Sequence, residues 1–374
     1  MRAQPLPAPE AEALRASRRL LERIGAELAA HGNWLSFARY MELALHAPGL
    51  GYYAGGAAKL GPGGDFVTAP ELSPLFARAL ARQIRGLLAP GEAVLEFGAG
   101  SGALAAALLG ELDAPYRILE TSPELLGRQR ERLGGAAQWL ERVPGRFRGV
   151  MLANEVVDAM PVHAVAWTRE GVRERGVCAN EDTLAWSERA AEGPVLEAAR
   201  AIEIELPPSG RYESELGLAA RAWTQLLGTR LERGALLVID YGFPRREFFH
   251  PQRSMGTLAC HYRHRVHGDP FHLPGLQDIT AHVDFSALAR AGAAAGLEVL
   301  GYASQAQFLV NCGITELLGA SDAADARAYA PQAAAVHKLL SPAEMGELFK
   351  VLALGRGVAA PLAGFARGDR SHML

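Results

Sequence analysis

The sequence has little cysteine and no long apolar run. The three cysteines among 374 residues, Cys178, Cys260 and Cys312, lie far apart along the chain. This spacing excludes a disulfide framework and a zinc-type ligand cluster, and it is typical of a reducing compartment. No uninterrupted apolar segment reaches the roughly 20 residues that a membrane-spanning helix needs, so we expect no membrane insertion.

A strong charge of either sign is also missing. The chain carries 38 Lys and Arg against 41 Asp and Glu, a formal net charge of −3, so no overall basic field favours nucleic acid. The N-terminal residues have no apolar signal core, and Glu10 and Glu12 argue against an organelle transit peptide. We therefore expect a cytoplasmic protein without a nucleic-acid partner. The sequence does not determine the oligomeric state.

One segment carries most of the functional information. A buried apolar strand over 93–97 leads into a turn and then into an apolar helix that starts at Ala103. The turn contains three glycines: Gly98, Gly100 and Gly102. Glycine permits positive φ and the close approach of a ligand, and free amides at the helix start can donate to that ligand. The spacing is G-x-G-x-G, whereas the dinucleotide fingerprint needs G-x-G-x-x-G.

Two acidic residues accompany the glycines. Glu96 lies two residues before Gly98, and Glu120 ends a short apolar run that begins at Tyr116. In nucleoside-binding α/β folds an acidic residue about 20 positions beyond the glycines accepts hydrogen bonds from ribose hydroxyls. Glu120 is therefore predicted as a ribose ligand rather than an ordinary surface charge. Ser122 and the proline after it predict the start of the next helix.

Alternating strand and helix patterns predict a parallel α/β sheet with helices on both faces. Strands are predicted near 93–97, 116–120, 137–140, 149–154 and 235–240, followed by a helix near 284–296 and two short strands around 297–310. Residues 160–206 interrupt this alternation, and short β-type runs near 162–167, 172–178 and 201–206 predict an inserted lobe. We expect an N-terminal helical cap and lid over 1–90, the sheet core over 91–159 and 216–374, and the inserted β-rich lobe over 160–215.

The fourth predicted strand ends in a polar turn. Asn154, Glu155 and Asp158 follow the apolar run 149–153. Ligands of open α/β sheets bind at the carboxyl ends of the strands, and two carboxylates three residues apart can converge on one planar guanidinium. The alternative is that Asp158 caps the N-terminus of a helix.

A second polar cluster lies near residue 280. Asp278, His282 and Asp284 alternate with apolar residues, so they indicate either a half-exposed strand or a group that acts as base or orients a substrate. The four histidines between 261 and 272 lack the spacing of metal-ligand pairs, so we expect no metal. Tyr241, at the end of the fifth strand, either lines the pocket or packs in the core.

Aromatic and proline-rich turns precede the sheet. Tyr53, Asp65, Thr68 and Glu71 lie in the segment 33–80, whose glycines and prolines are typical of loops. These residues are predicted to form a lid over the cofactor and acceptor channel. A static cap that packs on the sheet is the competing interpretation.

These segments together resemble one known family, the MidA-like methyltransferases. The resemblance extends over about residues 33–355 and is carried by Tyr52–Tyr53, Gly64–Glu71, Glu96–Gly102, Ile118–Glu120, Ala153–Ala159, Asp240–Gly242 and Gln277–Phe285. The family includes the mitochondrial complex I assembly factor that acts as a protein arginine methyltransferase. A Rossmann-like, seven-stranded class I methyltransferase core and S-adenosyl-L-methionine as methyl donor are implied by this resemblance.

The resemblance implies roles for some residues, and the patterns described above predict the others. The expected cofactor-binding residues are Glu96, Gly98, Gly100, Gly102, Glu120 and Asn154, of which the three glycines and Glu120 follow from the resemblance. The expected catalytic residues are Glu155, Asp158 and His282. The resemblance implies the two carboxylates, because related arginine methyltransferases keep guanidinium-binding carboxylates after the fourth strand, whereas His282 follows from the polar cluster near residue 280. The expected substrate and lid residues, from the segments described above, are Tyr53, Asp65, Thr68, Glu71, Tyr241 and Asp278.

For its mitochondrial members, the family implies symmetric dimethylation of an arginine on a respiratory complex I subunit. We therefore expect a protein substrate, with such a subunit as one candidate. Three alternatives stay open: a methyltransferase with a small-molecule acceptor, a non-enzymatic assembly chaperone on the same fold, and an NAD-dependent oxidoreductase. The last needs the dinucleotide spacing that the glycine turn lacks.

Overall fold

The computed structural model describes residues 6–55, 68–181, 183–321, 325–359 and 361–374. The helices are α1 (Ala11–Ala30), α2 (Phe37–His46), α3 (Ala69–Leu72), α4 (Pro74–Leu87), α5 (Ala103–Leu109), α6 (Pro123–Leu133), α7 (Gly193–Arg200), α8 (Leu218–Arg230), α9 (Arg245–Phe248), α10 (Phe285–Ala294), α11 (Gln305–Asn311), α12 (Ile314–Gly319) and α13 (Ala326–Leu340). The strands are β1 (Leu35–Ser36), β2 (Ala93–Phe97), β3 (Tyr116–Leu119), β4 (Gln138–Leu140), β5 (Phe147–Asn154), β6 (His163–Thr168), β7 (Gly171–Asn180), β8 (Thr183–Ala190), β9 (Arg211–Leu216), β10 (Leu231–Phe243), β11 (Ala259–Tyr262), β12 (Arg265–His267), β13 (Asp278–Thr280), β14 (Val283–Asp284), β15 (Glu298–Ser304) and β16 (Phe349–Arg356).

The central sheet runs in the order β4, β3, β2, β5, β10, β16, β15, and the two-residue β14 pairs with the end of β10. The pairs from β4 to β10 are parallel. β16 is antiparallel to β10 and to β15. This mostly parallel sheet confirms the predicted α/β class and its path of seven strands.

The middle strands of the sheet are apolar because both of their faces are covered. Every residue of β2 is buried, as is typical of parallel strands that lie under helices on both sides. The helix before β2, α4, begins at Pro74, and the hydroxyl of the preceding Ser73 accepts the Leu75 amide at 3.1 Å. This side-chain cap satisfies one of the free amides of the first turn of α4.

The order of the strands determines where a ligand fits. β2 comes first in the parallel set, and the chain continues to β3 on one side and later to β5 on the other. Such a reversal of strand order opens a crevice at the carboxyl ends of the two diverging strands. The glycine turn follows β2 and the Asn154–Glu155 turn follows β5, so both stand at this edge.

The chain divides into two compact units. One unit comprises Met1–Phe66, Asp158–Ala220 and Arg246–His282, and the other comprises Val67–Val157, Arg221–Arg245 and Val283–Leu374. The second unit carries the central sheet. The first unit carries the antiparallel sheet β1, β7, β6, β9, with β8 paired to β7, and a three-stranded sheet in the order β12, β11, β13. The boundaries predicted from sequence for the cap, core and lobe stay a prediction.

Parts of the sequence-based assignment of secondary structure are wrong. The segment 201–206 forms no strand, and the last strand of the lobe is β9, which follows at Arg211–Leu216. Pro207 and Pro208 lie between the two segments, and because proline has no backbone N–H, neither can donate a hydrogen bond to a neighbouring strand. One strand, β15, replaces the two predicted around 297–310, because Ser304 caps α11 by accepting the Gln307 amide at 3.4 Å.

Candidate active site

The glycine turn after β2 adopts a backbone that favours glycine. Gly98, Gly100 and Gly102 have φ values of +58°, +56° and +78°, in the left-handed region where a Cβ atom is costly. A Cβ on Gly98 would also lie 3.2 Å from Cγ2 of Val156. The Gly98 amide donates to the carbonyl of Leu119 at 3.0 Å. The turn therefore keeps a tight path that leaves its backbone close to any ligand at the start of α5.

Glu96 lies buried next to this turn, with 2% of its surface exposed. The hydroxyl of Tyr116 donates to its Oε2 at 2.7 Å. Burial raises the pKa of Glu96 to about 7, and the hydrogen bond from Tyr116 acts in the opposite direction. Glu96 is thus a weakly acidic group that the neighbouring strand β3 holds within the sheet.

Glu120 follows β3 directly and is held by hydrogen bonds to both carboxylate oxygens. Its Oε1 accepts the amides of Thr121 and Ser122, both at 2.9 Å. Its Oε2 accepts Nε2 of Gln129 at 2.9 Å. Burial raises the pKa of Glu120, and these hydrogen bonds oppose the rise. A backbone hydrogen bond from Gly100 also acts on the carboxylate, which therefore has a defined orientation beside the glycine turn.

Gln129 is a site residue that the sequence analysis missed. It is fully buried, and its Nε2 donates to the carbonyl of Gly100 at 2.9 Å as well as to Glu120. Its Oε1 accepts Nε1 of Trp139 at 3.1 Å. One side chain therefore connects the glycine turn to the predicted ribose ligand.

The position of Gln129 follows from the start of α6. Ser122 caps this helix as predicted, since its hydroxyl accepts the Leu125 amide at 3.3 Å. Gln129 lies four residues after Leu125 and four before Leu133, and all three side chains are buried on one helix face. A polar residue within such an apolar stripe is the signal that could have identified it.

The other side of the glycine turn contacts α3. The hydroxyl of Ser101, within the turn, donates to Oε1 of Glu71. Nη1 of Arg132 donates to the Ser101 hydroxyl at 2.9 Å and lies 4.0 Å from Glu71 Oε1. Thr68 is the N-cap residue of α3, without a side-chain cap bond. Glu71 thus contacts the glycine turn, while Asp65 of the predicted lid lies outside the described residues.

The turn after β5 has a strained backbone. Glu155 has φ of +53°, which costs a non-glycine residue roughly 1–2 kcal/mol. Its amide donates to the carbonyl of Ile239 at 2.9 Å. Its Oε1 accepts Nδ2 of Asn154 at 3.2 Å and the amide of Ala69 at 3.4 Å. Oδ1 of Asn154 is buried without a hydrogen-bond partner in the described part of the chain, so a donor on a ligand would be stabilised there.

Asp240 joins the end of β10 to the segment after β5. This carboxylate is fully buried; its Oδ2 accepts the Val157 amide and its Oδ1 accepts the Tyr241 amide, both at 2.9 Å. The ring of Tyr241 packs edge-on against Phe349, with centroids 5.4 Å apart. The observed contact of Tyr241 is therefore a packing contact at this end of the sheet.

The other predicted acceptor residues lie in the first unit. The Tyr53 hydroxyl donates to both carboxylate oxygens of Asp278 at 3.0 Å, and its ring stacks on His46 with centroids 5.6 Å apart. Burial raises the pKa of Tyr53 well above its usual value, and the charges of Asp278 and Asp158 act in the same direction. The first unit thus brings Tyr53, Asp158 and Asp278 together.

Asp158 and His282 are held through their backbones in the same unit. Asp158 is 7% exposed, and its carbonyl accepts the Ala281 amide at 3.0 Å. The His282 amide donates to the Thr257 hydroxyl at 3.1 Å. No helix occurs in the described segment between β5 and β6, so the alternative that Asp158 caps a helix is wrong. Asp284 does act as an N-cap: its Oδ1 accepts the Ala287 amide at the start of α10.

Residues 75–303 match the family of S-adenosyl-L-methionine-dependent methyltransferases. The chain belongs to this family. Its methyl donor is S-adenosyl-L-methionine. The alternative of an NAD-dependent oxidoreductase is therefore wrong.

The methyltransferase is similar along most of its length to mitochondrial proteins. The protein arginine methyltransferase NDUFAF7 of Danio rerio is 30% identical, over 89% of this chain and 86% of that protein. The Homo sapiens protein of the same name is 29% identical, over 86% of this chain and 80% of that protein. A crystal structure of a Burkholderia thailandensis protein bound to S-adenosyl-homocysteine is similar with a TM-score of 0.94 and 49% identity. This similarity extends over 99% of this chain and 100% of the Burkholderia thailandensis chain.

The residues around the glycine turn fit S-adenosyl-L-methionine. The positive-φ glycines open the backbone at the start of α5, Gln129 holds the Glu120 carboxylate beside this turn, and Oδ1 of Asn154 is a buried acceptor without a partner among the described residues. When bound, the cofactor supplies an electrophilic sulfonium methyl group. Within the described ranges, no group of His, Cys, Asp and Glu is arranged to hold a metal ion, and no helix is long and apolar enough to cross a membrane.

Proposed function

We propose that this methyltransferase acts on an arginine nitrogen of a protein. The observation that carries the proposal is Glu155, a carboxylate on a strained turn at the same sheet edge as the glycine turn. Carboxylates are natural receptors for a planar guanidinium. The proteins of Danio rerio and Homo sapiens described above are named protein arginine methyltransferases, which supports the same acceptor.

The proposed role of Glu155 follows from the chemistry of the acceptor. An arginine nitrogen is a poor nucleophile because its lone pair is delocalised over the guanidinium group. A carboxylate that binds this group and orients the attacking nitrogen reduces the barrier through alignment and exclusion of water. Glu155 is our first choice for this role and Asp158 the second. His282 is proposed as a proton acceptor, and Tyr53 and Asp278 as substrate-orienting residues.

The proposed acceptor is a protein partner such as a respiratory complex I subunit, as the resemblance implies for mitochondrial members of the family, and the Danio rerio relative is mitochondrial. We propose a cytoplasmic location, which the three free cysteines support. Separation of cell fractions followed by immunodetection tests the location. Detection in the membrane or secreted fraction alone would contradict it.

Transfer of labelled methyl groups tests the proposed reaction. Wild type, Gly100→Val and Glu155→Gln are incubated with labelled S-adenosyl-L-methionine and a cell lysate, and the labelled proteins are hydrolysed for amino-acid analysis. We expect label in methylated arginine with wild type and its loss in both variants. Label in small molecules alone indicates a different acceptor class. No label, with cofactor binding established on the same sample, indicates a non-enzymatic assembly role.

A further inference from the structure

Three arginines of the unit that carries the central sheet surround one carboxylate. Nη2 of Arg290 lies 4.0 Å from Oδ2 of Asp284, and the charges of Arg245 and Arg221 also act on the Asp284 carboxyl group. We refer to Arg221, Arg245 and Arg290 as the arginine cluster. Asp284 is the carboxylate whose charge acts on Arg221 and on Arg290, so two guanidinium groups share one carboxylate.

Helix starts hold the arginine cluster together. Arg221 lies in the first turn of α8, Arg245 begins α9, and Arg290 lies in α10. Asp284 caps α10 through a 3.0 Å hydrogen bond from the Ala287 amide. The Arg245 amide donates to the Ser286 hydroxyl at 2.8 Å. The start of α9 is therefore hydrogen-bonded to α10, which limits how far Arg245 and Arg290 can separate.

The positive charges of Arg221 and Arg290 are incompletely compensated. Burial lowers the pKa of Arg221 and of Arg290, Asp284 opposes this, and the charge of Arg245 lowers both further. Nε of Arg221 is buried and has no hydrogen-bond partner among the residues that the structure describes. Because arginine stays charged in proteins, an anion placed here would satisfy a buried donor and reduce the repulsion.

Asp284, the carboxylate of the arginine cluster, lies beyond Glu155 in the direction of β10. The Glu155 amide bonds to the carbonyl of Ile239 on β10, and Phe243, four residues further along β10, pairs with Asp284. Four strand residues span about 13 Å, the reach of about four residues of extended peptide. A peptide that runs in the direction of β10, beyond the end of β5, with its arginine at Glu155 reaches Asp284 and the arginine cluster about four residues away.

On the basis of the arginine methyltransferase function proposed above, we propose that the arginine cluster binds an acidic side chain of the acceptor protein. This Asp or Glu lies about four residues from the methylated arginine. Guanidinium groups match a carboxylate through paired hydrogen bonds. The Arg290 side chain is 49% exposed, so a ligand from solvent can reach it.

Peptide binding to the full-length protein tests this site without turnover. Two fluorescein-labelled peptides contain one arginine in a Gly-Ser background and carry either Asp or Asn four positions to each side. With saturating S-adenosyl-homocysteine, we expect the Asp peptide to bind about tenfold more tightly in fluorescence anisotropy. This preference should weaken as salt concentration rises.

Substitutions identify the residues responsible. Arg290→Gln and Arg221→Gln should each reduce the Asp preference to about twofold or less and leave the affinity for the Asn peptide unchanged. Arg142→Gln, at an exposed arginine beyond β4, is the matched control and should retain the preference. Thermal unfolding and S-adenosyl-homocysteine affinity establish that each variant is folded.

Several outcomes would overturn the proposal. These are equal affinity of wild type for both peptides, no measurable binding of either, or a preference that survives both substitutions. Tighter binding of a phosphoserine peptide, with displacement of the Asp peptide by inorganic phosphate, would assign the site to phosphate instead. An Asp preference that needs the cluster, in a protein that labels no arginine, supports the anion site and contradicts only the proposed reaction.

Discussion

The glycine turn and the Glu155 turn follow neighbouring strands, β2 and β5, but they are held in different ways. The glycines adopt positive φ without a Cβ penalty, and Gln129 bonds to Gly100 and Glu120 at 2.9 Å. Glu155 adopts a similar φ with a full side chain, and its Oε1 accepts Nδ2 of Asn154 at 3.2 Å and the amide of Ala69 at 3.4 Å. The cofactor side is therefore organised in advance, whereas the acceptor side retains backbone strain, as functional sites do.

The comparison predicts that the glycine turn tolerates no side chain. Gly98→Val combines positive φ with a Cβ contact of 3.2 Å to Val156. We expect affinity for S-adenosyl-homocysteine to fall more than about hundredfold, a loss of about 3 kcal/mol, as measured by isothermal titration calorimetry. Gly91→Val is the matched control, because Gly91 has φ of +78° and no atom within 4 Å of its Cβ position. If both variants lost the same affinity for S-adenosyl-homocysteine, the effect would come from general backbone strain and not from the glycine turn.

The Glu155 turn should behave in the opposite way. Glu155→Gln keeps the shape of the side chain but removes the charge, so we expect methyl transfer to protein to fall about hundredfold while S-adenosyl-homocysteine affinity stays unchanged. Glu181→Gln is the control, since Glu181 is exposed and has the same φ of +53°. Turnover and calorimetry on the same preparations give both readouts. Unchanged turnover would remove Glu155 from the proposed mechanism.

Gln129 provides a smaller test of how firmly the cofactor side is held. Gln129→Leu leaves the Gly100 carbonyl, the Glu120 carboxylate and Trp139 Nε1 each without a hydrogen bond that they now have. We expect about tenfold weaker S-adenosyl-homocysteine binding and a lower Tm. The exposed Gln138, substituted in the same way, should have neither effect. A Gln129→Leu variant that binds S-adenosyl-homocysteine as tightly as wild type would show that the hydrogen bonds of Gln129 do not organise the glycine turn.

The last prediction concerns the pH dependence of stability rather than binding or turnover. The pKa of Glu96 rises from 4.5 to about 7 in the folded protein, so folding binds protons between these values and stability falls as pH rises through this range. Glu96→Gln should therefore be more stable than wild type at pH above 7, by up to about 3 kcal/mol, and equally stable below pH about 4.5. Chemical unfolding at several pH values measures the difference. The prediction is contradicted if the difference in free energy of unfolding between Glu96→Gln and wild type does not change with pH. It is also contradicted if Glu131→Gln, at an exposed position, gives the same difference.

Strands of the central sheet are largely predictable because they are continuous apolar runs. The strands predicted at 93–97 and 116–120 are β2 and β3 to within one residue. The Ser122 cap and the positive φ of the glycines are local as well. Within the inserted lobe the alternation at 201–206 is equally regular, yet the strand forms at Arg211–Leu216. There the pairing with β6 decides the outcome.

The sequence by itself determined the α/β class, the glycine turn and its acidic partners. These features depend on residues that are close together along the chain and on the periodicity of apolar side chains in strands and helices. Only the tertiary structure decided that Gln129 joins Gly100 to Glu120 and that Glu155 has a left-handed backbone. It also decided that the arginine cluster forms, because Arg221, Arg245 and Arg290 stand on three separate helices. Their approach to Asp284 depends on the pairing of β10 with β14, a long-range contact that no local pattern specifies.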